Sequence, residues 1–280
     1  MTVRRWRLRR TASVLVALVM GVGGALVVAT PAYAAPAYVA LGDSYSSGLG
    51  TRSYYSDSGS CYRSQYAYPV LVAARLGATL TFAACSGARV SDVLNQQLGS
   101  LNASTAYVTV SVGGNDAGFA DVITQCALPW PATCDSHIAN ANNYIRNTLP
   151  GSLNTLYSRI RERAPNARVV VVGYPRLFNG EQCNVLARID PNEQAALNAT
   201  ADLLATTISA RAAAYGFRFV DARPAFTGHA ICDDVEWING LSYPLSESYH
   251  PNRAGHTGYA SIVEPALRAA VAVADAEAIV

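Results

Sequence analysis

Tyr38-Val39-Ala40-Leu41-Gly42-Asp43-Ser44-Tyr45-Ser46 is the stretch on which the reading of this chain turns. Four apolar residues closed off by a glycine–aspartate turn read as a short buried strand. The serine therefore falls just past a strand's C-terminal end, where open α/β sheets assemble their sites. A serine hydroxyl alone is a weak nucleophile and needs a base within hydrogen-bond reach. The chain offers one far downstream: His250, in Ser248-Tyr249-His250-Pro251-Asn252, ahead of the last helical pattern.

Working outward, four more segments read as strands: 79–83, 106–112, 168–172 and 217–220. Each is rich in β-branched or aromatic residues and ends at a turn signal. Helical patterns lie between and after them, at 68–76, 90–98, 138–164, 191–214 and 252–273. Pro191 suits a first helical turn, whereas Pro265 predicts a kink or restart in the last helix. Strand alternating with helix predicts an α/β fold, a five-stranded parallel sheet covered by helices on both faces as a three-layer α/β/α sandwich. Two long irregular segments, 51–65 and 226–249, each contain a cysteine; such loops are usually functional or stapled.

The first 34 residues stand apart. Arg4, Arg5, Arg7, Arg9 and Arg10 form a basic head, an uncharged apolar stretch follows, and Ala32-Tyr33-Ala34 is a small-x-small cleavage pattern. This is the layout of an export signal, by the general or the twin-arginine route. It leaves 35–280 as one domain of 246 residues. Five of the 21 basic residues and none of the 19 acidic ones lie in the leader, so the remainder carries 16 against 19, a net of −3. No basic patch supports a nucleic-acid partner. The apolar stretch of the leader is short for a membrane span and is followed by the cleavage pattern, so no stable membrane anchor is expected. A secreted, extracellular monomer is expected.

All six cysteines, Cys61, Cys85, Cys126, Cys134, Cys183 and Cys232, follow the leader. An even number in an exported chain predicts three disulfides, with fifteen pairings open. Pairing in sequence order is adopted because it staples local loops. The absence of any C-x-x-C pair argues against zinc.

Three strand ends carry polar chemistry: Gly42-Asp43-Ser44, Ser86-Gly87 and Gly114-Asn115-Asp116. In a parallel sheet these share one edge. Acyl transfer needs a nucleophile and donors aimed at a developing oxyanion. The backbone N–H of Ser44, the N–H of Gly87 and the side-chain amide of Asn115 are the donors on offer. These blocks, in order and with His250 after them, resemble those of the SGNH, or GDSL, hydrolases, most closely the secreted lipases and phospholipases A1 of actinomycetes. The resemblance spans the whole chain after the leader. It implies a flavodoxin-like sandwich, Ser44 as nucleophile, His250 as base, Ser44, Gly87 and Asn115 as oxyanion hole, and no metal or other cofactor.

One position departs from the family pattern. Many members place aspartate three residues before the histidine; here stands Glu247. Either its carboxylate or a backbone carbonyl, of Glu247 or Ser248, accepts the imidazole Nδ1–H. Asp43 and Asp116 are read as holding local turns, His137, His229 and His256 as surface or structural residues, and Asp233, Asp234 and Glu236 as a solvated acidic loop. Tyr45, Tyr54, Tyr55, Leu177, Phe178 and Trp237 are candidates for an acyl groove, and Arg52, Arg63 and Arg176 for a phosphate head group. The expected activity is hydrolysis of lipid esters, acylglycerols or phospholipids. Carbohydrate deacetylation and acyl transfer are the enzymatic alternatives, a secreted binding module the non-enzymatic one. With no G-x-S-x-G in the sequence, the nucleophile elbow of α/β-hydrolases is excluded.

Overall fold

A computed structural model describes residues 34–128, 132–184, 186–187 and 189–269. The expected leader, Ala34 aside, lies outside the described residues, as does the expected last helix beyond 269. The strands are β1 (Ala37–Gly42), β2 (Thr79–Phe82), β3 (Thr105–Ser111), β4 (Arg168–Val172) and β5 (Arg218–Val220). All pair in parallel, in the order β2-β1-β3-β4-β5. The chain steps outward from β1 to β2 and then returns past β1 to β3. That reversal opens a crevice between the C-terminal ends of β1 and β3, the place where such sheets bind ligands.

The helices are α1 (Ser44–Ser47), α2 (Tyr68–Leu76), α3 (Phe119–Cys126), α4 (Asp135–Asn147), α5 (Leu149–Arg163), α6 (Pro191–Ala214) and α7 (Arg253–Arg268). α2 packs with α7 on one face, and α4, α5 and α6 pack together on the other. With both faces covered, the middle strands are apolar without alternation. Val108 and Val110 of β3 and Val169 to Val172 of β4 are all buried.

Four features depart from the sequence reading. The expected helix at 138–164 is two helices, because Pro150 has no N–H for an interior position and sits instead in the first turn of α5. The expected helix at 90–98 starts as α at Val90–Asp92, widens to a π-turn at Val93–Gln97 and tightens at Leu98–Ser100. α3 was not anticipated, although Phe119, Val122, Ile123 and Cys126 carry a helical i, i+3, i+4, i+7 spacing. α7 runs through Pro265 and ends within a turn of it, where the N–H of Ala269 reaches the Pro265 carbonyl at 2.9 Å. Disulfides join Cys61 to Cys85, Cys126 to Cys134 and Cys183 to Cys232.

Candidate active site

The site begins where β1 stops. Gly42 lies level with Ser111 of β3. A Cβ at Gly42, whose φ is +124°, would stand 2.3 Å from the Ser111 carbonyl oxygen, so only glycine fits. The next residue, Asp43, is the N-cap of α1: its Oδ1 accepts from the N–H of Tyr45 at 3.0 Å. Such a cap stabilises a helix start by about 1 kcal/mol. Ser44 is thus the first residue of a helix seated on a strand end, and it is buried.

His250 meets it from the far end of the chain. Its Nε2 lies 2.9 Å from Ser44 Oγ, and its Nδ1 lies 2.8 Å from the carbonyl oxygen of Ser248. Since a carbonyl only accepts, Nδ1 carries the proton and Nε2 is left as the acceptor facing the serine. Tyr249, at φ 62°, turns the backbone left-handed and brings the Ser248 carbonyl back onto the ring. Loss of water around the imidazole pushes its pKa down to about 4, against a smaller upward pull from the Ser248 carbonyl. The ring is therefore neutral at pH 7, the form a general base requires.

The loop carrying His250 is anchored by Asn239, which the sequence reading passed over, and by Tyr45, which it singled out only for a groove. Asn239 donates its N–H to the His250 carbonyl at 2.9 Å and accepts from the Tyr249 N–H at 2.8 Å. Its side-chain amide donates to the Gly50 carbonyl at 2.9 Å. From the other side, Tyr45 of α1 donates its O–H to the Tyr249 carbonyl at 2.8 Å.

Glu247 is buried but turned away from His250. Its Oε1 accepts from the Tyr54 hydroxyl, and its Oε2 lies 3.6 Å from Nε of Arg52. Both partners belong to the loop at 51–65. Of the two acceptors left open by the sequence, the carboxylate is engaged elsewhere and the backbone carbonyl of Ser248 faces the ring.

The remaining blocks are tied to the end of β1. Cys85 donates its N–H to the Gly42 carbonyl at 3.0 Å, and the turn closes as the Ala88 N–H reaches the Cys85 carbonyl at 3.1 Å. Gly87 sits in this turn at φ +78°, and a Cβ there would meet no heavy atom within 4 Å. The left-handed backbone conformation is what asks for glycine at this position. Asn115 donates one amide hydrogen to the Ala88 carbonyl at 3.1 Å, which fixes it beside the same turn. Asp116 takes the Val90 N–H on its carboxylate, and burial pushes its pKa up.

Two further residues link these blocks. Gln97, aimed inward by the π-turn, grips both backbone groups of Gly42: Oε1 accepts from its N–H at 2.7 Å and Nε2 donates to its carbonyl at 2.9 Å. Tyr174, past the end of β4, donates its O–H to Asp43 Oδ2 and accepts from the Gly114 N–H at 3.2 Å. Asp43 is buried, and desolvation raises its pKa to about 7 against the pull of the Tyr174 hydroxyl. No motif marks Gln97 or Tyr174; only the Gly173-Tyr174-Pro175 turn after β4 pointed near them.

Ser44 and His250 open onto a cavity of about 410 Å³. Its walls come from Phe119 and Ile123 of α3, Ala201 and Leu204 of α6, and the loop residues Leu241 and Leu245. Of the expected groove residues only Tyr45 lines it. Leu177 and Phe178 are buried, Phe178 beside Tyr249, while Trp237 stacks on His229 at 3.9 Å and Tyr54 serves Glu247. Tyr55 is exposed and outside the lining. Arg52, Arg63 and Arg176 are not among the lining residues either; Arg176 is paired with Asp202 and Arg52 with Glu247. The wall went unseen because α3 did, and because α6 carried no motif.

Of the other histidines, His256 is buried, its Nδ1 accepting from the Tyr68 N–H at 3.2 Å, and His137 is exposed. In the acidic loop, Asp233 and Glu236 accept from the backbone N–H groups of Ala230 and Cys232. Among the described residues, one group of potential metal ligands converges, Cys126, Cys134 and Glu193, and its two sulfurs are joined to each other.

A flavodoxin-like parallel sandwich with a serine–histidine pair at the β1 edge and a glycine and an asparagine beside it defines a recognisable class, the SGNH-type fold. The chain belongs to the GDSL-like Lipase/Acylhydrolase family, whose profile matches residues 40–257. It is 48% identical over 263 residues to Lipase 1 of Streptomyces coelicolor, covering 91% of this chain and 96% of that one. Two crystal structures share its fold closely. The extracellular lipase of Streptomyces rimosus superposes with a TM-score of 0.79 at 46% identity, over 83% of this chain and 100% of that one. Phospholipase A1 of Streptomyces albidoflavus gives 0.78 at 47% identity, over 84% and 99%.

Proposed function

We propose that this chain is a secreted serine hydrolase of lipid carboxylic esters, working as a monomer through a covalent acyl-enzyme on Ser44. One observation carries the reading: the acceptor nitrogen of a neutral His250 lies 2.9 Å from Ser44 Oγ at the mouth of an apolar cavity. The relatives named lipase and phospholipase A1 support acylglycerols and phospholipids as the substrate class. The leader at 1–34, the disulfides and the extracellular relative support export.

In the first half-reaction Ser44 Oγ attacks the ester carbonyl carbon while His250 Nε2 takes its proton. The Ser248 carbonyl holds the imidazolium that forms. Negative charge on the carbonyl oxygen is received by the N–H groups of Ser44 and Gly87 and the amide of Asn115. Collapse expels the alcohol, which leaves with the proton from Nε2. Water then repeats the sequence on the acyl-serine and releases the fatty acid. An alkyl phosphonate ester tests this: it should add covalently to Ser44, read by mass spectrometry of the peptide, and not to the His250→Ala protein. Labelling that ignores the loss of His250, or falls on another residue, contradicts the mechanism.

A further inference from the structure

Leu128, Leu186 and Leu245 are the exposed leucines among the described residues, at 46%, 83% and 69% of full exposure. All three line the cavity at Ser44. They come from three separate loops, and two of these are stapled close to the leucine. Leu128 lies inside the loop closed by Cys126–Cys134, and Leu186 follows Cys183, which is bonded to Cys232. Leu245 opens the single turn Leu245–Glu247, whose last residue is the buried Glu247.

An apolar side chain held out in water is unfavourable, and a cluster of them around an opening marks a binding surface. One acyl chain inside the cavity would not relieve it, because side chains as exposed as Leu186 and Leu245 project beyond any wall the chain touches. The charge pattern selects the occupant. Among the described residues the lining contains no arginine and no glutamate, and its one aspartate is the buried Asp43. A protein partner would normally meet a polar rim, and an anionic membrane would want basic residues, whereas the chain beyond its leader carries a net of −3.

We propose that these three leucines form a docking face that seats the cavity mouth on an uncharged or zwitterionic lipid surface, so that an acyl chain enters from the lipid without crossing water. This rests on the lipid-ester reading above. The disulfides then have a part beyond stability: they hold Leu128 and Leu186 outward and stop them folding into the cavity.

The test uses phosphatidylcholine vesicles and the exported protein carrying Ser44→Ala, so that no hydrolysis alters the lipid. Partition is read by co-sedimentation. Moving one leucine from water to lipid is worth roughly tenfold in partition. Leu186→Ser should therefore weaken binding about tenfold, and Leu128→Ser, Leu186→Ser and Leu245→Ser combined at least about a hundredfold, with an unchanged thermal unfolding midpoint. The single variant keeps the test decisive if the triple one fails to fold. The face is overturned if the parent stays off vesicles, if Leu186→Ser binds like the parent, or if the parent instead self-associates in buffer through these leucines. Failed partition with intact phosphonate labelling of Ser44 removes the docking face alone; failed labelling with intact partition removes the hydrolase reading and leaves the face.

Discussion

The two halves of the site are built in different ways. The half around Ser44, Gly87 and Asn115 is an extension of the sheet, with each piece bonded to the end of β1 or to its neighbour: Cys85 to Gly42, Gln97 to Gly42, Asn115 to Ala88. The half around His250 is loop held to loop, by Asn239, Tyr45 and the Glu247–Tyr54 pair. Strand ends impose local backbone demands that only certain residues meet. Loops are fixed by whichever distant side chain reaches them, and Tyr54 lies 193 residues from Glu247. An oxyanion site needs donors held without reorganisation, which a sheet edge supplies; a base must only present one nitrogen, which a restrained loop can do.

The comparison can be broken most sharply at its junction. Ser44→Ala and His250→Ala should each lower kcat by about 10⁴-fold or more, and the double variant no further. Additive losses would mean that the two halves do not act as one unit. Asn115→Ala probes the sheet half next, with an expected loss of roughly a hundredfold to a thousandfold in kcat and little change in KM. A loss confined to KM would move Asn115 from the oxyanion to ground-state binding. Tyr174→Phe removes a hydrogen bond to a buried carboxylate and the acceptor for the Gly114 N–H. Unfolding free energy should fall by about 2 kcal/mol, with roughly a tenfold drop in kcat, a factor that corresponds to about 1.4 kcal/mol. Unchanged stability in that variant would show that the sheet half does not depend on the link across β4.

The same contrast sets what could be read before the structure was known. The five strands, their parallel pairing and the placement of Ser44, Gly87 and Asn115 at strand ends were legible, because each sits in a short segment whose composition follows from backbone geometry; His250, on a loop, stood out only as a histidine in a matching block. Gln97 was not, since an inward glutamine depends on a π-turn that no spacing announces. Tyr174 looked like any turn tyrosine; its role exists only once β4 lies beside β3. The cavity wall was missed through α3, although Phe119, Val122, Ile123 and Cys126 held the signal, and five of the six aromatic and aliphatic candidates named for a groove belong to the core, to other contacts or to open surface. The partner of Glu247 was beyond reach for the same reason as the others: a carboxylate three residues before a histidine has the spacing of a relay acid whether it turns toward the ring or away.

That last point carries the smallest expected effect and the most direct test. The central claim is that His250 is oriented by the Ser248 carbonyl and that Glu247 holds the loop at 51–65 instead of the imidazole. The measurement is kcat/KM against pH for the wild type and for Glu247→Gln, on a soluble ester. The base is lost as pH falls through the His250 pKa, so the wild type should show an acid limb near pH 4. Glu247→Gln is expected to keep that limb and to lie within about tenfold of wild type across the range. A loss on the order of a thousandfold in the folded variant, or an acid limb displaced from that of the wild type, would make Glu247 the third member of the relay and contradict the account.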